Sequence, residues 1–166
     1  MKGANAGIVA FTFGIPSTLP SNRRIAQIAS TKARELNNAP VYTQLLIQVE
    51  PGIPVNYTEE KLGNFPPTLR IARGAVQWAK QRKLTQLWIV AAKPHLWRAL
   101  RDVRQTIREN KVQIEIHACQ EIEQCPEDSW FCPDSTQERI RSRRDWNKRE
   151  RILRLMPFFV YKLVAS

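Results

Sequence analysis

No apolar stretch in this chain of 166 residues approaches the ~20 residues needed to span a bilayer, so no transmembrane helix is expected. Glycine is scarce, at 6 residues. No GxGxxG, Walker A loop or GxSxG elbow is present, nor is HExxH, so no motif announces a nucleophile, a phosphate cradle or a metalloprotease. The three cysteines, Cys119, Cys125 and Cys132, fit no CxxC spacing. His117 lies two residues before Cys119 on the same strand face, but the paired short spacings of structural zinc sites are missing, and no metal is expected. Cys125 and Cys132 bracket a proline-containing acidic loop and could meet in a disulfide; in a reducing compartment they stay thiols. The opening MKGANAGIVAFTFG has one lysine and a short apolar run, and reads as a first strand rather than a signal peptide. A cytoplasmic location is the expectation.

Acidic residues are also few, 15 against 26 Lys and Arg, for a net charge of +11. The excess is uneven: residues 135–166 carry nine basic and three acidic side chains. A basic tail suits nucleic acid, anionic lipid or an acidic protein, and it also serves simply as a solvated face. The 43% hydrophobic content and clear periodicity argue against disorder. The length suits one domain, residues 1–166.

Two periods alternate along it. Short apolar runs at 8–13, 41–49, 87–92 and 112–119 read as strands. Helical stripes follow at about 22–37 (Ile25, Ile28, Ala29, Leu36), from Thr68 to about 83 (Leu69, Ala72, Ala75, Val76, Ala79), and after Pro94 (Leu96, Leu100, Val103, Ile107). Arg98, Arg101, Arg104 and Arg108 form a parallel basic ridge. Ser21 or Asn22 is expected to cap the first helix and Thr68 the second. Pro51–Pro67, rich in Gly and Pro, reads as a long irregular loop of the kind that walls a site. A basic helix from about Thr136 to Met156 closes the chain, with an apolar end at Phe158-Phe159-Val160-Tyr161. Strands separated by helices are mostly parallel, with right-handed crossovers. The expected fold is therefore a three-layer α/β, Rossmann-like sandwich with a mostly parallel sheet of four or five strands.

The segment LWIVAAKPHLWRAL, residues 87–100, is the most informative. A buried strand stops at a lysine and a proline and turns directly into a helix, and in such sheets ligands bind outside the carboxyl ends of the strands. Lys93, His95 and Arg98 stand there. A helix N-terminus adds free amide hydrogens and about half a positive charge. Arg can fork onto a phosphate or carboxylate, and a neutral His can exchange a proton near pH 7. Gly14 lets the first loop approach a ligand closely, with Ser17 beside it, and the Thr68 hydroxyl adds a hydrogen bond. Gly14, Ser17, Thr68, Lys93, His95 and Arg98 are thus the candidate ligand-binding residues for an anionic small molecule. His95 is the best candidate for catalysis. The bland alternative has His95 capping its helix and Arg98 paired with an acid such as Asp102.

The element order and three segments resemble the YdcF/SanA-like family of Rossmann-like proteins. The matching residues are His95 with Arg98-Ala99 after an apolar strand, Pro67-Thr68-Leu69-Arg70-Ile71-Ala72 ahead of it, and Trp146-x-x-x-Glu150 with Tyr161 in the closing helix. The likeness is uneven, because Phe13-Gly14-Ile15-Pro16 and Gln48-Val49-Glu50-Pro51-Gly52 replace the family's glycine-rich turns. It carries over to Gly14, Thr68, His95 and Arg98. The resemblance implies a nucleotide-type ligand such as S-adenosylmethionine, or a cell-envelope role.

The alternative role is a non-catalytic adaptor that uses the basic C-terminal helix to lie on an anionic membrane, at its inner face, or on an acidic protein. No nucleic-acid module is recognisable, and nucleic acid is not an expected partner.

Overall fold

The computed structural model describes residues 5–60 and 65–165. Strand β1, Ala6–Ala10, is buried at every position, as a central parallel strand covered on both faces must be. It is flanked by β2, Val41–Thr43, and β4, Gln86–Val90; β3, Val55–Tyr57, and β5, Glu115–Ala118, form the edges. All four pairings are parallel, in the order β3-β2-β1-β4-β5. The protein is an α/β fold with a five-stranded parallel sheet flanked by helices, Rossmann-like in arrangement.

Helix α1, Pro20–Glu35, carries the chain from β1 to β2. Helices α2, Thr68–Gln81, and α3, Lys93–Asn110, make the crossovers in the opposite direction and pack on each other. Right-handed crossovers of opposite direction fall on opposite faces, so the order reverses between β1 and β4. The expected apolar stripes face the core: Ile25, Ile28 and Ala29 of α1, the five α2 positions, and Leu96, Val103 and Ile107 of α3 are all buried.

Several boundaries differ from the expectation, each for a physical reason. The strand expected at 41–49 pairs only through Thr43, and the loop expected at 51–67 contains β3. That edge strand is made by backbone pairing, beginning with Val41 N–H donating to Pro54 O at 2.8 Å, and three residues are too few to show a period. Neither Ser21 nor Asn22 caps α1: Leu19 holds the cap position, with Pro20 opening the helix. Thr68 is the first helical residue of α2, with Pro67 at its cap. The ridge on α3 divides, because Arg98 is buried while Arg104 and Arg108 are exposed.

The single C-terminal helix expected from about Thr136 is instead a short 3₁₀ turn at Glu138–Ile140 followed by two helices. The Ser142 side chain caps α4, Arg143–Leu155, by accepting from Asp145 N–H at 3.2 Å. Pro157 ends that helix by pushing Met156 into extended backbone (ψ 127°). Helix α5, Phe158–Ala165, then folds back so that Tyr161 and Ala165 pack with Leu69 and Leu153.

Candidate functional site

A cavity of about 410 Å³ lies between the β1–α1 loop, the start of α2, the first turns of α3 and the C-terminal segment. Its first wall is the loop after β1. Asn22 Oδ1 accepts from Phe13 N–H at 2.9 Å, and its Nδ2 donates to Gly14 O at 2.9 Å and Pro16 O at 3.0 Å. Ser21 Oγ donates to Phe13 O at 2.7 Å. The two residues expected as caps therefore hold the loop in shape from within α1. Gly14 has φ +97°, and a Cβ there would meet Leu19 Cδ1 at 2.7 Å and Ser135 Oγ at 3.0 Å. Gly14→Ala is expected to cost about 1–3 kcal/mol from backbone strain alone, with the steric contact added. Gly52 has φ +89° and nothing within 4 Å of its Cβ position, so Gly52→Ala carries only the conformational part. Equal losses for the two in denaturant titrations would show that the contact contributes nothing.

Thr68, His95 and Arg98 meet at the cavity floor. Thr68 Oγ1 lies 3.0 Å from His95 Nε2 and accepts from Arg98 Nη1 at 2.7 Å. Arg98 Nε donates to both carboxylate oxygens of Glu150, at 3.2 and 3.1 Å. Trp146 covers the group: its ring lies 5.7 Å from that of His95 and 5.6 Å from the Arg98 guanidinium carbon. His95 Nδ1 is buried without a hydrogen-bond partner among the described residues.

Two further arginines, Arg139 before α4 and Arg149 on it, line the cavity with Arg98. Among the described residues no Asp or Glu lines it, and neither Arg139 nor Arg149 has a carboxylate within ion-pair distance. Both residues are exposed to solvent at the cavity. Desolvation, then repulsion from Arg149 and Arg98, pulls Arg139 down to about 10. Desolvation and Arg98 lower Arg149. At about 10, Arg139 keeps its charge at neutral pH.

Burial, and after it Arg98, Arg139 and Arg149, push His95 well below the ordinary histidine range. The ring is neutral in the fold, whereas the unfolded chain takes up a proton near pH 6.5. The stability this group preserves is present above that pH and is lost as pH falls below it toward the folded value, by up to about 1.4 kcal/mol per pH unit. Urea unfolding at about pH 7.5 and about pH 5.5 should show this loss in the native chain and a smaller one in His95→Asn. Equal losses in both would assign the pH dependence to other groups.

Of the residues expected from sequence, Gly14, Thr68, His95 and Arg98 line this cavity, while Lys93 and Ser17 do not. Lys93 Nζ pairs with Glu123 at 2.9 Å. Ser17 borders a separate hollow with Arg23, Gln48 and Glu50. The helix terminus is a weaker donor than expected, because Pro94 has no N–H and the amides of His95 and Leu96 donate to Ala92 O at 2.8 and 2.9 Å. His95 does not cap α3. Arg98 pairs with Glu150 rather than Asp102, which instead pairs with Arg101 at 3.0 Å and accepts from the Tyr161 hydroxyl. Of the loop expected to wall the site, Phe65, Pro66 and Pro67 do so, and residues 61–64 lie outside the described ones.

Arg139, Arg149 and Trp146 were not foreseen as site residues. The one available signal was the Trp146-x-x-x-Glu150 spacing, which puts both side chains on one helix face. The cysteines are free thiols, and among the described residues no three of His, Cys, Asp and Glu gather as a metal site requires. No protein-family model matches the chain, and no curated protein matches it.

Proposed function

We propose that this chain binds a phosphate-bearing small molecule of nucleotide type in the cavity at the carboxyl ends of β1 and β4. The observation that carries this reading is the convergence of three guanidiniums on a cavity that no Asp or Glu lines among the described residues. Glu150 balances Arg98, which leaves Arg139 and Arg149 to an anion. Arginine forks fit phosphate oxygens in pairs. The volume, about 410 Å³, lies in the range of small-molecule sites, and Phe13, Ile71 and Ile140 supply apolar wall for a base or other flat group. The YdcF/SanA-like resemblance supports the same position through Gly14, Thr68, His95 and Arg98. Between the ligands it implies, a nucleotide phosphate suits three arginines better than S-adenosylmethionine, whose sulfonium and ammonium groups are cationic. The reading is one of binding: no Ser or Cys lines the cavity among the described residues, and the neutral His95 is a side chain there suited to moving a proton.

A thermal-shift series with mono-, di- and triphosphate nucleotides, inorganic phosphate and S-adenosylmethionine tests it. A nucleotide at a hundred times its Kd adds ~2.7 kcal/mol of stability. That gain should vanish in Arg139→Ala/Arg149→Ala, whose side chains form no ion pair within 4 Å among the described residues. A chain that responds to none of these anions, or a double variant that responds as the native chain does, overturns the proposal.

A further inference from the structure

The C-terminal helices leave apolar surface uncovered. Leu155 is 86% exposed, Phe159 74% and Leu163 83%, with Ile152 and Val164 beside them also open to solvent. These side chains follow the two helices round the Pro157 corner, while Trp146, Leu153 and Tyr161 take the inward positions. Arg144, Lys148, Arg151 and Leu155 recur at spacings of four, three and four and are all exposed, so one outer face of α4 passes from basic to apolar along its length. Between residues 143 and 165 there are seven Lys and Arg against Asp145 and Glu150, and Glu150 is buried. Trp97 of α3 lies half-exposed between the Arg101 and Arg154 guanidiniums, each 5.1 Å from its ring. That places an indole beside the residue preceding Leu155.

We propose that the α4–α5 corner docks on the surface of an anionic phospholipid membrane. The apolar side chains would enter the headgroup–acyl boundary, with the arginines and Lys148 at the phosphate level and Trp97 at the interface. This mixture of exposed aromatic and aliphatic groups with a basic border suits such a surface. A second copy of the chain is a poorer occupant, because a two-fold contact through this face would set its basic border against itself. No helix of the described residues is long and apolar enough to cross a membrane, so the contact is peripheral. Ile152 and Val164 also line the cavity, but Leu155, Phe159 and Leu163 lie outside its lining, so the contact is testable apart from what the cavity binds.

Sedimentation of the full chain with phosphatidylcholine vesicles, and with vesicles half phosphatidylglycerol, tests the proposal. Binding is expected to the anionic vesicles at low salt and should weaken as salt screens the attraction. Phe159→Ser/Leu163→Ser should cut partitioning at least tenfold, and removal of Arg144, Lys148 or Arg151 about fivefold for each charge. These exposed substitutions should leave the thermal transition near the native one. Absence of binding to anionic vesicles at low salt overturns the proposal, as does binding indifferent to Phe159 and Leu163, which would mark a purely electrostatic contact. Dimerisation that Phe159→Ser/Leu163→Ser abolishes, without vesicle binding, would assign the face to a second copy.

Discussion

Glu150→Ala is expected to destabilise the protein by about 3–5 kcal/mol, because it strands a buried guanidinium. The Arg98 side chain is 8% exposed and that of Glu150 4%, with both carboxylate oxygens engaged by Arg98 Nε. Removal of the acid leaves Arg98 next to Arg139 and Arg149, with the hydroxyls of Thr68 and Tyr161 as neutral partners that cannot balance its charge. Arg98→Met/Glu150→Met should recover most of the loss, since well-packed apolar groups replace a buried ion pair at little or no cost. Loss of the Glu150 charge alone should act oppositely on ligand binding. Without Glu150 the cavity gains unbalanced positive charge, so an anion should bind Glu150→Gln more tightly even as the free protein melts earlier. Urea titrations with and without a nucleotide separate the two effects. A Glu150→Ala variant within about 1 kcal/mol of the native protein would mean that Arg98 finds water when its partner is lost.

Trp146→Ala should cost a comparable ~3–5 kcal/mol. The ring is 5% exposed, its centroid lies 4.9 Å from that of Phe13, and it covers both His95 and Arg98. Its loss removes an edge-to-face aromatic contact, worth about 0.5–1.5 kcal/mol beyond area burial, and opens a hollow continuous with the cavity. Trp146→Phe keeps most of the contact and should fall well short of the alanine loss. Chemical denaturation measures both variants. If alanine costs no more than phenylalanine, Trp146 is a lid free to move aside rather than a fixed part of the floor.

The part of this fold legible in the residues is the part written in side-chain periodicity. Ile8–Phe13 and Leu87–Ala92 read as strands because central parallel strands are buried on both faces and need apolar runs, and the paired residues fall at Ala6–Ala10 and Gln86–Val90. Leu96, Val103 and Ile107 read as a helix face because burial on one side repeats at three and four. The place of the candidate cavity follows the same logic: a strand ending at Lys93-Pro94 must release its helix at the sheet's carboxyl edge, and His95 and Arg98 line a cavity there.

What the residues did not disclose depends on partners distant in the chain. The edge strand Val55–Tyr57 exists through backbone hydrogen bonds to β2, which leave no side-chain pattern in three residues. Asn22 and Ser21 looked like caps because a short polar side chain before a helix usually serves its own amides. Only the folded loop shows that they hold Phe13, Gly14 and Pro16 instead. Whether Arg98 would meet Asp102, four residues away, or Glu150, 52 away, turned on where α4 packs. The decision went to tertiary structure because Asp102 was already engaged by Arg101 and Tyr161. Likewise the sequence by itself established a strongly basic tail, but the tertiary structure divided it: Arg149 faces the cavity while Arg144, Lys148 and Arg151 face outward. Composition counts charges without direction, and a helix acquires direction only when one of its faces is buried.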